Sequence, residues 1–443
     1  MWYFQLLAFH IALGIVLYSF NSISKFYLIA ICLFFLYRII ANSNNKDEAL
    51  IAAGYITGFE VLSRMTGGAI SYEFSKYAVM GFLLLGIFFK GFKNTGWIYM
   101  VYIAVLVPGI LFSAINLSYD AKVGNAIGFN LSGPVCLGVA ALYCYDRKIP
   151  MARLQTVLIA VLLPLISITT YLFLYSPSIR DVLTGTSSNF AASGGFGPNQ
   201  VSTVLGLAAF ILFTRIFLVK NKLINIIDIA LLALIGYRAV ITFSRGGVIT
   251  AIACAILFVV VLYFKSDAKL KSSFIPKIAI MIALLLGVWT VSSVATFGLI
   301  ENRYANEDAT GRDKGDIGTG RATLFETELE AFKEAPFTGI GVGKSKEYRA
   351  EKTNIEAASH NEVSRLLSEH GIFGIIALLI LLFTPLIFWI KHKSNLFLFS
   401  FLCFWFLTIN HSSMRIAAPA FIYALSLLNI TYAQKKKTAL YRK

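Results

Sequence analysis

Long apolar runs recur from one end of the chain to the other, and no other feature restricts its fold so tightly. Each approaches the roughly 20 residues that a helix needs to cross the hydrocarbon core of a bilayer. Fourteen stand out: 2–20, 25–42, 48–66, 74–92, 96–115, 124–145, 152–175, 199–219, 223–242, 246–264, 274–297, 370–390, 395–410 and 416–433. Only helices and closed barrels satisfy every backbone hydrogen bond in lipid, and these runs lack the two-residue alternation of a barrel strand. With 57% hydrophobic and 14% charged residues, the chain reads as an all-α, polytopic helical membrane protein. The run at 48–66 carries Glu60 and Arg64, and 395–410 is short, so 12 to 14 transmembrane helices are expected.

Charge gives the orientation. The segments 90–93, 147–153, 215–222, 265–277, 391–393 and 435–443 hold 19 Lys and Arg residues. All fall on one side if all fourteen runs span, and the excess of basic residues marks that side as cytoplasmic. Both termini then face the cytoplasm. The long segment 298–369 holds 10 basic and 14 acidic residues and faces outward. The net charge of +16 is thus a signal of topology and not of nucleic-acid binding. The first run lacks a small-residue cleavage site and reads as a retained span. Cys32, Cys136, Cys144, Cys254 and Cys403 all lie in apolar runs, which gives no disulfide or metal framework. Asp-x-Asp spacing is absent on the outer side, which argues against a metal-chelated nucleotide-sugar donor.

The organisation expected is one membrane domain, 1–443, with a single extracytoplasmic insertion at 298–369. Pro108, Pro134, Pro164 and Pro385 sit inside spans, where each removes a backbone donor and favours a bend. Within the loop, residues 321–334 have helical spacing, with Leu324, Phe325, Leu329 and Phe332 on roughly one face. Pro336 and the run Gly339-Ile-Gly-Val-Gly343 end that helix. The glycines followed by Lys344 and Ser345 do not make a phosphate loop, because Thr338 occupies the place of its first glycine. They read as a turn between two helices.

The polar motif that stands out is Ser359-His360-Asn361 followed, after nine residues, by Gly371-Ile-Phe-Gly374, where the loop re-enters the membrane. Ionisable residues at a membrane edge are costly and mark functional sites. Ser359 and Glu362 form a Ser-x-x-Glu capping box that places His360 in the first turn of a helix. There the helix dipole disfavours the imidazolium, leaving a neutral ring able to accept a proton near pH 7. A helix start that merely contains a histidine is the plain alternative.

Arginines on the outer side form the second signal. Arg245 lies in Ser244-Arg-Gly-Gly247 at a span mouth, Arg321 follows Gly320, and Arg238, Arg303, Arg312 and Arg365 are further candidates. A guanidinium forks onto two phosphate oxygens, so a neutral His with several Arg suits a lipid pyrophosphate. Each Arg alone also fits a snorkelling side chain or a partner of an acid such as Glu301 or Asp313. Glu60 and Arg64, four apart, read as a brace. Residues 193–200, Ser-Gly-Gly-Phe-Gly-Pro-Asn-Gln, fit a loop over a ligand or a plain turn and cap. The remaining histidines, His10, His370, His392 and His411, carry no motif.

Taken together these residues resemble the O-antigen ligase and O-antigen polymerase superfamily of bacterial envelope glycosyltransferases. The resemblance rests on Phe196-Gly-Pro-Asn199, Phe243-Ser-Arg-Gly-Gly247, Gly320-Arg321, Pro336 with Gly339-x-Gly341-x-Gly343, His360-Asn361 and Gly371-x-x-Gly374, within 190–400. It implies a type-C glycosyltransferase-like fold in the bacterial inner membrane. It further implies metal-independent transfer, without cofactor, of a glycan from undecaprenyl pyrophosphate to a glycolipid or glycan acceptor such as lipid A–core. By the same resemblance His360, Arg245 and Arg321 are catalytic, while Asn361, Asn199, Arg312, Arg303 and Arg365 bind substrate. Thr310-Gly311-Arg312 offers a second Gly-Arg pair nine residues before Arg321. Ligase and polymerase share these motifs; a single large loop bearing the His motif after a long set of spans favours the ligase. A flippase would place charges at mid-membrane depth in both halves of the chain, whereas here they gather at the outer side.

Overall fold

The computed structural model describes residues 2–118, 122–183, 185–315 and 320–432, with 269 and 270 described by backbone alone. The basic tail at 435–443, on which part of the orientation argument rests, lies outside the described residues, as do four residues of the 298–369 loop. The first half contains α1 (Trp2–Ser19), α2 (Ile23–Ala41), α3 (Glu48–Met65), α4 (Phe74–Lys90), α5 (Ile98–Ala104) and α6 (Val107–Asn116). Next come α7 (Val123–Cys144), α8 (Met151–Tyr175), α9 (Pro198–Leu218), α10 (Lys222–Ile241), α11 (Arg245–Lys265), α12 (Ala268–Ser272) and α13 (Phe274–Ala295). The long loop forms α14 (Leu299–Ala305), α15 (Arg321–Glu334), α16 (Lys344–Thr353) and α17 (Glu362–His370). The last membrane helices are α18 (Ile372–Lys391), α19 (Leu398–Ser412) and α20 (Ala417–Ser426).

All fourteen apolar runs are helical over most of their length, which makes this a polytopic helical membrane protein. Among the described residues ten helices are long and apolar enough to cross a bilayer, α5 and α6 counting as one; α19 and α20 are shorter apolar helices. The run 416–433 is helical only to Ser426. Asn395 donates from its side chain to the carbonyls of Leu425, Ser426 and Leu428, which ends α20. Beyond it β2 (Asn429–Thr431) pairs in parallel with β1 (Lys148–Pro150). Of the four span prolines only Pro108 coincides with a break, in the first turn of α6, where a missing N–H is tolerated. Pro134, Pro164 and Pro385 lie inside continuous helices.

Close helix approach builds the core. A Cβ on Gly58 of α3 would come within 2.2 Å of the Val161 carbonyl oxygen of α8, so that pair packs backbone to backbone. The basic turns collect at one end of the bundle. There Lys90 bonds the Asn45 carbonyl, Arg147 bonds the Gly91 carbonyl, and His392 faces Asp146 at 3.7 Å.

At the opposite end the 298–369 loop lies on the bundle. The glycine run is more than a turn: it threads between α17 and α6. Ile340 N–H bonds the Ser368 carbonyl, Gly341 N–H that of Glu369, and Val342 N–H that of Gly109. Gly339, Gly341 and Gly343 all have positive φ, and a Cβ on Gly341 would lie 2.7 Å from Ser113 N. The buried stripe of α15 also differs from the expected one, running Leu324, Thr327, Glu328, Ala331 while Phe325 is exposed. The reason is polar: Glu328 pairs with Arg349 at 2.5 Å and accepts from Ser364 Oγ at 2.5 Å, which turns that face inward.

Candidate active site

The site is assembled where α9, α11, α14, α15, α17 and the α19–α20 turn meet. α11 begins at Arg245, and the two glycines after it are set by steric demand. A Cβ on Gly247 would lie 2.1 Å from the Ser202 carbonyl oxygen, and one on Gly206 would lie 2.3 Å from the Gly247 oxygen, so α9 and α11 touch along their backbones. A Cβ on Gly246 would strike the ring of His411 at 2.4 Å. Ser202 Oγ donates to the Ser244 carbonyl (2.8 Å), and Ser244 Oγ donates to Asn199 Oδ1 (2.8 Å). The segments 196–199 and 243–247, apart in sequence, are therefore one structural unit. Within it Asn199 serves as an acceptor that locates Ser244, and the glycines at 194–195 pack on Met65, Leu172 and Tyr175.

Arg303 stands over this unit. Its Nε donates to the Phe243 carbonyl (2.9 Å), and Arg245 Nη1 donates to the carbonyl of Arg303 (3.3 Å). Phe243 has φ +57°, with its ring packed among Val240 and Ile300, so the bend that presents Arg245 is held by apolar contacts.

His360 does not lie in a first helical turn. The N-cap of α17 is Asn361, whose Oδ1 accepts from Val363 N–H (2.8 Å) and Ser364 N–H (3.3 Å). Ser359 turns its hydroxyl to the Asn361 carbonyl and accepts from Asn361 N–H, and Glu362 turns inward to Arg365, so no capping box forms. His360 precedes the cap. Among the described residues its Nδ1 is buried without a hydrogen-bond partner and Nε2 makes no hydrogen bond.

The electrostatics are one-sided. Burial pushes His360 down to about 4, and the charges of Arg415, Arg321 and Arg349 act in the same direction. The ring is neutral at pH 7, as the sequence suggested, although burial and guanidinium groups are the cause and not the helix dipole. Arg303, Arg321 and Arg415 are all held below the usual arginine range, by burial first. Hydrogen bonds fix the two ends of the site: Arg245 donates to the Arg303 carbonyl, and Arg415 donates to the Ser359 carbonyl beside His360. Arg245 and Arg321 act on Arg303; Arg245 and Arg415 act on Arg321; Arg415 and Arg321 act on His360. Arg245 and Arg303 thus mark one end of a cationic strip, Arg321 its middle, and Arg415 with His360 the other end. Among the described residues, no carboxylate forms an ion pair with Arg303, Arg321 or Arg415 within 4.0 Å.

Other candidates go elsewhere. Arg312 is exposed in a turn closed by Asp308, whose Oδ1 accepts from the Arg312 N–H (3.0 Å), and its charge acts on Asp308. Arg365, expected to bind substrate, is buried between Glu362 and Glu369 and donates to the Asn130 carbonyl. Carboxylates at i−3 and i+4 on the same helical face take it, so it braces α17 against α7. Arg238 donates to the carbonyls of Leu172, Ser176 and Ala192 and closes the end of α8. Glu60 and Arg64 do pair, at 2.5 Å. His370 is fully buried against Gly109, and His10 bonds Tyr55 in the core.

Two residues at the site carry no sequence signal. His411 sits against Gly246 with Nε2 3.2 Å from Thr203 Oγ1. Arg415 follows a short apolar run, where an arginine resembles an ordinary membrane-edge residue.

Beside the Arg245 end, α9, α10, α11 and α13 enclose an apolar groove of about 490 Å³, lined by residues such as Phe210, Gly236, Val248, Ala255, Met281 and Val288. Val248 and Val288 also pack on the Val240–Phe243–Ile300 cluster beneath Arg303, which joins groove and cations.

Residues 229–379 match the family model described as O-antigen ligase. That segment contains Arg245, Arg303, Arg321 and His360 and supports placement in the O-antigen ligase and polymerase superfamily. No curated protein and no solved structure matches the chain.

Proposed function

With that superfamily as premise, we propose that the protein is a metal-independent glycosyltransferase of the O-antigen ligase type, moving a glycan from undecaprenyl pyrophosphate to an acceptor hydroxyl. The observation that carries the reading is the cationic strip with a neutral histidine at one end, set at the membrane edge. Arg303, Arg321 and Arg415, which form no carboxylate ion pair among the described residues, suit a pyrophosphate, since fixed donors stabilise the charge that develops on a departing oxygen. The adjoining apolar groove suits the proximal part of a polyprenyl chain. This end of the bundle is taken as the outer face of the bacterial inner membrane, because the basic turns lie at the other end.

The chemistry follows from the order of the groups. Nε2 of His360 takes the proton of the acceptor hydroxyl as its oxygen attacks the anomeric carbon. The bond from that carbon to the pyrophosphate oxygen breaks, and the electron pair leaves with the pyrophosphate. Arg245 and Arg303, at the end of the strip away from His360, hold that group together with Arg321 in its middle. Direct displacement inverts the anomeric carbon. A positioned general base of this kind contributes about 10²–10⁴-fold. Arg365 and Arg312 have no part in this reading, and Asn361 and Asn199 place His360 and Ser244.

The acceptor separates ligase from polymerase: lipid A–core or a similar anchor for one, a second lipid-linked repeat for the other. One large loop bearing the His motif supports the ligase. Glycolipids of a deletion strain test it. Long polymer stranded on the lipid carrier, with bare acceptor, is expected. Acceptor carrying a single repeat would instead make the protein a polymerase, and donor trapped on the inner leaflet would make it a flippase.

A further inference from the structure

The α19–α20 turn lies outside the segment that matches the family, and the mechanism above gives it no task. Its polar atoms nevertheless converge on the backbone that carries His360. Arg415 Nη2 donates to the Ser359 carbonyl (2.8 Å) and the Ala358 carbonyl (3.3 Å). Ser413 Oγ donates to the same Ser359 carbonyl (3.2 Å), and Met414 N–H donates to Glu362 Oε2 (3.4 Å). The Ser359 carbonyl belongs to the peptide that joins Ser359 to His360. Both sides of the histidine are therefore tied to one turn.

That turn is itself fixed to the bundle. The Arg415 carbonyl accepts from Arg64 Nη1 (2.9 Å), the Met414 carbonyl accepts from Lys76 Nζ (3.4 Å), and Ala417 N–H donates to Glu60 Oε2 (2.6 Å). A Cβ on Gly133 of α7 would lie 2.5 Å from Met414 O, so the turn is seated directly on that helix. Among the described residues Arg415 Nε is buried without a partner, and no carboxylate neutralises the guanidinium within 4.0 Å.

We propose that Arg415 is a positioning residue for His360, holding the 358–359 backbone with its guanidinium and presenting a fixed positive charge to the imidazole. Two links separate this role from that of Arg245. Arg415 touches the peptide next to the histidine, and it lies at the His360 end of the strip, away from Arg245 and Arg303. Other groups facing His360 are Arg321 from α15, Arg349 from α16 and His411 from α19. Glu328 of α15 accepts from Ser364 and pairs with Arg349, while the charges of Glu362 and Arg365 of α17 act on Arg415. Arg349 reaches the loop one residue earlier, at the Ala357 carbonyl. The catalytic consequence rests on the transferase reading; the effect on the imidazole does not.

The test uses the full chain in nanodiscs with ¹³C-labelled histidine. Five histidines give five signals, and His360→Gln identifies the one wanted. Removing a nearby cation makes protonation easier, so Arg415→Gln should move the His360 midpoint up by about one pH unit. Arg415→Lys keeps the charge and should leave the midpoint in place, while its ammonium ends one bond short of Nη2, the atom that reaches both carbonyls. In glycan transfer both variants should lose about 10-fold or more in kcat, with the donor KM unchanged. An unmoved His360 signal in Arg415→Gln overturns the proposal. So does a raised donor KM with normal kcat, which would make Arg415 a ligand of the donor. Should Arg415→Gln fail to fold, Arg415→Lys and Ser413→Ala serve, and wild-type kcat in both overturns it. If the wild-type protein transfers no glycan, the transferase reading fails while the titration still decides this one.

Discussion

Gly247→Ala is the smallest change that should separate site geometry from membrane insertion. The added Cβ would sit 2.1 Å from the Ser202 carbonyl oxygen, against a contact limit of 3.4 Å, so α9 and α11 must part by about 1.3 Å. The obstacle is backbone, which cannot rotate away. Overpacking of this kind costs about 1–3 kcal/mol, or roughly 2–10 °C in apparent Tm. The same movement stretches the two 2.8 Å bonds at Ser244, from Ser202 and to Asn199, past hydrogen-bond length. Arg245 then moves by about 1 Å, and misplacement on that scale costs on the order of 10²-fold in rate. Transfer from purified lipid-linked donor in proteoliposomes reads the rate, and fluorescence-detected size exclusion after heating reads Tm. Gly287→Ala, with nothing within 4 Å of the new Cβ and no part in the groove lining, is the control. Gly246→Ala meets the tip of a side chain, His411, and should fall between. If Gly247→Ala matches Gly287→Ala in both measurements, the backbone contact between α9 and α11 does not set the site and the reasoning is refuted.

Three further outcomes follow from the same geometry. His360→Ala should abolish transfer while the protein still inserts; near-normal transfer would reduce the histidine to a structural role. Because the His360 pKa is depressed to about 4, the base form is complete at neutral pH and protonates only as pH falls through that value. Its titration should therefore leave kcat flat from about pH 6 to 8, and a limb near the ordinary histidine value of about 6.5 would contradict the buried setting. Arg245→Ala and Arg321→Ala should each lose about 10²–10³-fold, with poor rescue by Lys, whereas Arg312→Ala should keep full activity; the reverse result would place the second phosphate-binding arginine at 312.

What was legible from sequence is whatever local spacing or transfer into lipid dictates. The fourteen apolar runs, the α15 start at Arg321 and the stop near Pro336 are of that kind. The α17 cap falls two residues from the position that the spacing predicts, because Ser359 and Asn361 are both good caps. Asn361 takes the extended conformation that lets Oδ1 reach two N–H groups, and Ser359 is left to hold the loop. The fate of Arg365 was in fact visible, since carboxylates at i−3 and i+4 flank it on one face. His411 and Arg415 were not, for they come from 50 or more residues away and join the site only through helix packing.

The buried charges of α3 connect these observations. Glu60 and Arg64 read as a brace, and what they brace is the turn that holds the His360 peptide. Glu60 Oε1 pairs with Arg64 at 2.5 Å while Oε2 accepts from Ala417 N–H at 2.6 Å. Glu60→Gln keeps the shape but brings an NH₂ against one of two donors and leaves Arg64 without its carboxylate partner. Breaking a buried pair from one side costs about 3–5 kcal/mol, felt here where α3 meets the α19–α20 turn. The rest of α3 stays packed through Gly54 and Gly58 on α8. Glu60→Gln should therefore insert with unchanged topology in reporter fusions, yet lose at least about 10-fold in transfer, because Arg415 and with it Ser359 lose their seat. Arg64→Met should weaken the same seat from the other side. Removing both charges together restores neutrality, so the double variant should regain part of the rate. Additive losses in the double variant would show that the two residues support the site separately and that the α3 ion pair is not the base of the His360 platform.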